Sequence, residues 1–435
     1  MTASSATATT ITAVKARRVW DSRGRPTVEA DVTLAGGALG RAIAPAGASR
    51  GSNEAIDLRD GGPRFGGWDV TEALRQTNGA IAQAIVGMDA GDQAAVDQAL
   101  IALDGTPNKA NLGGNATIAV SMAVLHAAAA QAGQPLWKYL WDRGGHSGTP
   151  VLPLPEIQIF GGGAHAGRRI DVQDFMVIAT GADDYEQALA WTAEVYIAAG
   201  KIMAERGLLQ GVADEGGFWP AFDANEDAAE TLVQAIEKAG LRPGEQVSIS
   251  LDIAASEFGK NGRYRLARED REMDSGELAD MLLGWVGRYP IVSVEDPMSE
   301  DDADGFLAFA KAAPKTLQIV GDDFLVTNAG RVQAAARDGA LNCALIKPNQ
   351  AGTVTETKAA FDAARDAGIG AIVSARSGET EDVTIVHLAV GWGAKQLKVG
   401  SFTRSERMVK WNEGLRVADA LGSAALPPRS AFPWG

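Results

Sequence analysis

In the second half of this chain, short β-rich runs alternate with helical stretches, and almost every run ends on a residue able to carry chemistry. The runs fall at residues 247–253, 291–295, 317–321, 342–347, 370–374 and 396–400. Helical patterns at 275–286, 302–312, 329–338, 353–367 and 381–391 lie between them. Such alternation predicts a parallel sheet, and this number of units predicts closure into a β/α barrel. Asp252 ends VSISLD, Glu295 ends IVSVE, Asp322 follows LQIVG and Lys347 ends NCALIK. Ser374 ends GAIVS, with Arg376 and Ser377 just beyond it, and Lys398 stands within QLKVG. The C-terminal ends of barrel strands converge on one mouth, so three carboxylates, two lysines and an arginine would face a common pocket.

Any one of these residues has an ordinary explanation as a cap or an ion pair, and for a single Asp at a strand end that explanation is the better one. Six in register are not explained that way. Three carboxylates with open positions suit Mg²⁺, a hard cation that keeps water or substrate oxygens in its shell. A lysine whose pKa is lowered by nearby positive charge could then take a proton from the carbon beside a substrate carboxylate. Lys347 and Lys398 are both candidates for that base, and the pattern does not choose between them, although an electrostatic clamp is the simpler role for Lys398.

The first part of the chain reads differently. Strand patterns at residues 12–18, 27–34 and 40–43 precede helical periods at 70–85, 93–103 and 116–131, which suggests an α+β unit. A Gly- and Pro-rich stretch at 144–155 is the best linker, dividing a capping domain (1–143) from a barrel domain (144–435). A length of 435 residues allows both. The formal charge of −15 argues against nucleic acid as a partner, because such binding needs a basic face. Cys343 is the only cysteine, which excludes an intrachain disulfide and fits the cytoplasm. Residues 1–10 lack the basic patch and apolar core of a signal peptide. The apolar stretch 118–130 is broken by Ser121 and His126 and is too short to span a bilayer, so a buried helix is expected and no membrane partner.

The segments SRGRPTVE, PAGASRG, NEAIDLRDG, ADEGGF, SLDIAASEF, VSVEDP, GDDFLVTN, LIKPNQ, RSGETED and GSFTRSER resemble those of the enolase family, in the family's order and over residues 11–421. The resemblance implies an enolase-type TIM-like barrel with an N-terminal α+β cap, and a homo-oligomer, dimer or higher. It implies that Asp252, Glu295 and Asp322 bind a catalytic Mg²⁺ and that Ser49, in the mobile loop 46–51, binds a second. It makes Lys347 the base and Glu215 the acid that protonates the departing hydroxyl. His165, Asp174, Ser374, Arg376, Ser377 and Lys398 would contact a small anionic substrate such as 2-phosphoglycerate. A racemase or muconate cycloisomerase type would place a Lys-x-Lys pair on an early barrel strand, and none stands between Pro155 and Asp252.

Several positions depart from the family pattern. Where enolases read Ser-His-Arg-Ser-Gly-Glu-Thr this chain has Ala375 in place of the histidine, and Asp174 stands where Gln-Glu-Phe-Met has its glutamate. Gly161 replaces the asparagine of Asn-Gly-Gly, Arg50 replaces a threonine of the mobile loop, and Arg168 and Arg169 follow His165. Losing a placed acid–base or hydrogen-bonding partner costs roughly 10²–10⁴ in rate, so a housekeeping enolase should not tolerate both Ala375 and Asp174. Added arginines suit a larger or more anionic substrate, with Arg50 the strongest candidate and ordinary surface exposure an even alternative for Arg168 and Arg169. The pattern is similar to that of enolase paralogs in phosphonate and phosphinate biosynthesis, such as carboxyphosphonoenolpyruvate synthases, which implies a phosphonate substrate. Ordinary enolase activity is the alternative. A non-catalytic enolase-like binding protein is disfavoured, because the metal and base positions survive.

Overall fold

The computed structural model describes residues 7–435. It opens with an antiparallel sheet of β1 (Ile11–Trp20), β2 (Pro26–Leu34) and β3 (Leu39–Ile43), in that order. The first turn follows from its residues. The Asp21 carboxylate accepts the amides of Arg23 and Arg25 at 2.8 and 3.0 Å, and Gly24 takes a left-handed conformation (φ 71°) that side chains resist. Helices follow at Gln93–Asp104, Gly114–Gln131 and Leu136–Arg143. The Ala-rich helix Gly114–Gln131 is buried on nearly all sides, because its small side chains let β2 and β3 approach on one side while Ser121 accepts the Val354 amide of a barrel helix at 2.9 Å. Among the described residues no single helix is long and apolar enough to cross a membrane. Residues 144–153 carry neither helix nor strand.

The barrel uses β4 (Leu154–Gly161), β5 (Asp174–Ile178) and β6 (Ser248–Asp252). A small antiparallel flap of β7 (Gly259–Lys260), β8 (Arg263–Leu266) and β9 (Arg271–Asp274) intervenes. Then come β10 (Ile291–Glu295), β11 (Gln318–Gly321), β12 (Cys343–Ile346), β13 (Gly370–Ser374) and β14 (Gln396–Ser401). The strands close in the order β10-β11-β12-β13-β14-β4-β5-β6. The barrel is not wholly parallel, as strand–helix alternation predicts, for β5 runs antiparallel to both β4 and β6. The cause is the connection. Residues 162–173 hold one short 3₁₀ turn and no crossover helix, and a parallel return needs a crossover. The reversal brings the first residue of β5, Asp174, to the mouth, where it pairs with Gly161 and Asp252.

The pleat decides what faces the lumen. In β6, Ser248, Ser250 and Asp252 alternate with Ile249 and Leu251, and the latter two join the main core under the helices. Ser293 and Glu295, Gln396 and Lys398, and Glu156 and Gln158 follow the same alternation. The polar side chains meet across the lumen: Ser293 donates to Gln318 at 3.0 Å, Gln318 to Gln396 at 2.7 Å, and Ser250 to Glu156. Val320, Cys343, Leu345 and Ile372 form a separate apolar cluster from β11 to β13. Barrels of this kind usually fill their interior with branched apolar side chains; here much of the lumen is a hydrogen-bonded polar packing beneath the mouth.

Candidate active site

The pocket at the mouth is lined by Ser49, His165, Asp174, Glu215, Asp252, Lys347, Ser374, Arg376, Ser377 and Lys398, together with Gln173 and Ala375. Its free volume is only about 20 Å³ because the loop at residues 46–51 is closed over it. Ala46 and Gly378 exchange backbone bonds at 2.8 and 2.9 Å, and the Ala48 amide donates to the Ser377 hydroxyl at 2.6 Å. Gly47 is required there, since a Cβ would lie 1.9 Å from an Arg376 nitrogen. Arg376 is buried and bound to Glu54 at 3.0 Å, Asn349 at 2.9 Å and the Ser49 carbonyl at 3.0 Å.

Glu295 and Asp322 stand directly behind this lining and reach it through the lysines. Lys398 Nζ donates to Asp252 at 2.9 Å and Glu295 at 2.8 Å, with Asp174 at 3.7 Å. Lys347 Nζ donates to Asp322 at 2.5 Å, and Gln350 donates to the other Asp322 oxygen at 2.8 Å. The predicted ligands are therefore strung along two ammonium groups. Among the described residues, the groups whose ligand atoms close within 4.8 Å of one another are His165–Asp174–Glu215 and Asp296–Asp322–Asp323. Burial and the charges of Arg376 and Lys398 push Lys347 down, but Asp322 and Glu295 outweigh them and its pKa is raised. This corrects the expectation of a lowered lysine: nearby positive charge is present, and the Asp322 contact overrides it. Burial and Asp252 hold Glu295 well above the usual carboxylate range, although Lys398 opposes them.

These residues fit a hard divalent cation. Glu295 Oε1 is buried without a hydrogen-bond partner, an expensive state that a cation would relieve. The donors are all carboxylate oxygens, the set that Mg²⁺ prefers. Asp252 ends β6 and Asp322 follows β11, the strands either side of β10, so a cation would draw both carboxylates toward Glu295 from the ammonium groups that hold them.

Across the pocket, His165 Nδ1 is 3.0 Å from Asp174, and Nε2 is 3.7 Å from Glu215. Burial pulls His165 down, but the charges of Asp174 and Glu215 outweigh it and hold the imidazole at about 9. Asp174 is held at about 2: burial opposes this, and the His165 and Lys398 charges prevail. Glu215 is brought in by β14. Gly400 (φ 113°) lets Ser401 donate to the Glu215 carbonyl at 2.9 Å, and a Cβ there would lie 3.1 Å from Glu215.

The added arginines do not enter the pocket. Arg50 is exposed and outside the lining, Arg168 is paired with Glu257 at 2.9 Å, and Arg169 lies 3.9 Å from Asp223. Ala375 does line it. Sequence reasoning missed the supports: Glu54 and Asn349 on Arg376, Gln350 on Asp322, and Gln173, whose amide donates to Asp252 at 3.1 Å. Each lies in or beside a segment already singled out (NEAIDLRDG, LIKPNQ, the run around Asp174), so the signal was the segment and not the residue. The chain matches two family models, "Enolase, N-terminal domain" over residues 11–140 and "Enolase, C-terminal TIM barrel domain" over residues 149–428.

Proposed function

Since the chain belongs to the enolase family, we propose that it is a Mg²⁺-dependent enzyme that removes the proton beside the carboxylate of a small anionic substrate resembling 2-phosphoglycerate. The observation that carries this reading is that Lys347, just after β12, and Glu215, beside His165, line the same closed pocket as the carboxylates of Asp174 and Asp252. Mg²⁺ on Asp252, Glu295 and Asp322, with a second ion at Ser49, would draw charge from the substrate carboxylate and make the neighbouring C–H acidic. With Asp322 engaged by the cation instead of by its ammonium, Lys347 would lose the contact that raises its pKa, and in its neutral form it takes that proton at Nζ. Glu215 delivers a proton to the departing hydroxyl, which leaves as water. Arg376, Ser377, Ser374, Lys398 and His165 hold the anionic groups, and the closed loop keeps bulk water out.

We further propose that the substrate is a phosphonate, as in carboxyphosphonoenolpyruvate synthases. Its support is Ala375, 6% exposed and facing the pocket where the family has a histidine, and the shortened carboxylate of Asp174. Ordinary enolase activity is the competing outcome. The test is kcat/KM of the Mg²⁺-loaded protein with 2-phosphoglycerate and with phosphonoformate-type compounds. Phosphonate turnover with weak 2-phosphoglycerate activity is expected, and 2-phosphoglycerate turnover at ordinary enolase rates would refute the specialised reading. Activity undiminished by EDTA would refute the metal reading.

A further inference from the structure

Glu156 lies inside the barrel and takes no part in the chemistry above. It sits on β4 opposite Lys398 of β14, so the two side chains leave neighbouring strands on the same face, about 5 Å apart at the backbone. Glu156 is 1% exposed; its Oε1 accepts the Ser250 hydroxyl, and its Oε2 has no partner. A buried carboxylate oxygen without a donor is costly, and a fold that carries one invites the question of what visits it.

Lys398 supplies the answer. Its ammonium occupies Asp252 at 2.9 Å and Glu295 at 2.8 Å, two of the three carboxylates assigned to the metal. A divalent cation arriving there would repel the ammonium and compete for the same oxygens. The ammonium is buried and cannot be left unpaired. Asp174 Oδ2, another free oxygen nearby at 3.7 Å, belongs to a carboxylate already committed to His165 and Gln158, and the free Glu295 Oε1 belongs to a carboxylate assigned to the metal. Glu156 lies below the pocket and outside its lining, on the strand paired with that of Lys398.

We propose that Glu156 is a positioning residue: when a divalent cation enters between Asp252, Glu295 and Asp322, Lys398 releases the first two and its ammonium passes to Glu156 Oε2. This rests on the reading of those three residues as metal ligands. Glu156 thereby makes the carboxylates available without expelling the lysine from the barrel, and it keeps Lys398 beneath the substrate.

The test is Mg²⁺ affinity, measured by calorimetry on metal-stripped full-length protein for wild type, E156Q, K398M and the double variant. E156Q should weaken Mg²⁺ binding by about tenfold or more, the worth of one charge-assisted hydrogen bond. In the K398M background the same substitution should change affinity less than about twofold, because no ammonium needs a new partner. Equal weakening in both backgrounds would mean that Glu156 acts through its charge alone, and would overturn the proposal, as would unchanged affinity in E156Q. Failure of wild type to bind Mg²⁺ would instead refute the metal reading itself. If E156Q does not fold, the Mg²⁺-loaded crystal structure of wild type decides. Lys398 Nζ within hydrogen-bonding distance of Glu156 is expected, and an ammonium still on Asp252 and Glu295 overturns the idea.

Discussion

The two sides of the pocket are built by different means. Asp252, Glu295, Lys347 and Lys398 leave paired barrel strands or their ends, where the register of one strand against the next fixes each Cα. Glu215 and His165 come from connecting segments, and Ala375 and Asp174 stand where strands give way to loops. Moving a residue on the strand side means shifting a ladder and turning its neighbours to the wrong face. A loop-side residue can change while the barrel stays as it is. The departures from the enolase pattern that line the pocket, Asp174 and Ala375, fall at the border of the second side, and the strand-side carboxylates and lysines stay. The proposed proton removal is thus tied to the fold, and the proposed handling of the rest of the substrate is adjustable.

The sharpest way to break this contrast is at Lys347. Lys347→Ala should stop exchange of the substrate α-proton with solvent deuterium, with a loss of roughly 10⁴, read by proton NMR. Exchange that survives would move the base to Lys398. On the loop side, Glu215→Gln should lower elimination by roughly 10²–10⁴ while exchange continues, because acid and base act on separate bonds. Loss of both together would show that the two sides do not act independently.

That asymmetry also governs what could be read in advance. The strand-end residues were legible because period-2 alternation, a β-rich run and a terminal charge coincide at Asp252, Glu295 and Lys347. The direction of β5 was not, since nothing in residues 162–173 announces a hairpin-like return, and so Asp174 could be placed at the mouth only through the family resemblance. The fate of the arginines was equally hidden. Arg50, Arg168 and Arg169 look alike as added charge, and only the fold sends Arg168 to Glu257 and leaves Arg50 in solvent. Helices Tyr185–Glu205, Asn225–Lys238 and Ser405–Leu421 also escaped a reading guided by strands.

If the loop side is the adjustable one, it should be possible to adjust it back. Ala375→His with Asp174→Glu should raise kcat/KM on 2-phosphoglycerate by about 10² and lower it on the native substrate, because the histidine refills space that Ala375 leaves open. No gain on 2-phosphoglycerate would place the specificity elsewhere in the pocket.

The smallest expected effect separates the two sides by charge and not by turnover. Protonated His165, held at about 9 between Asp174 and Glu215, binds its proton more tightly than an imidazole of ordinary pKa 6.5 in the unfolded chain. A raised pKa stabilises the fold fully below pH 6.5, and that contribution drains away as pH rises from 6.5 through 9. His387, held at about 4 chiefly by burial, works in the opposite sense and costs stability as pH falls from 6.5 toward 4. The two windows do not overlap, so thermal unfolding of metal-free wild type and His165→Asn isolates the first. Each pKa unit is worth about 1.4 kcal/mol, and for a chain of this size the difference in Tm between the two proteins should shrink by a few degrees between pH 6.5 and 9. A difference that stays flat across that window would mean that His165 is neutral in the folded protein. The hydrogen bond to Asp174 would then be an uncharged imidazole N–H on a carboxylate, and the loop side would lack the fixed positive charge that the proposed anionic substrate calls for.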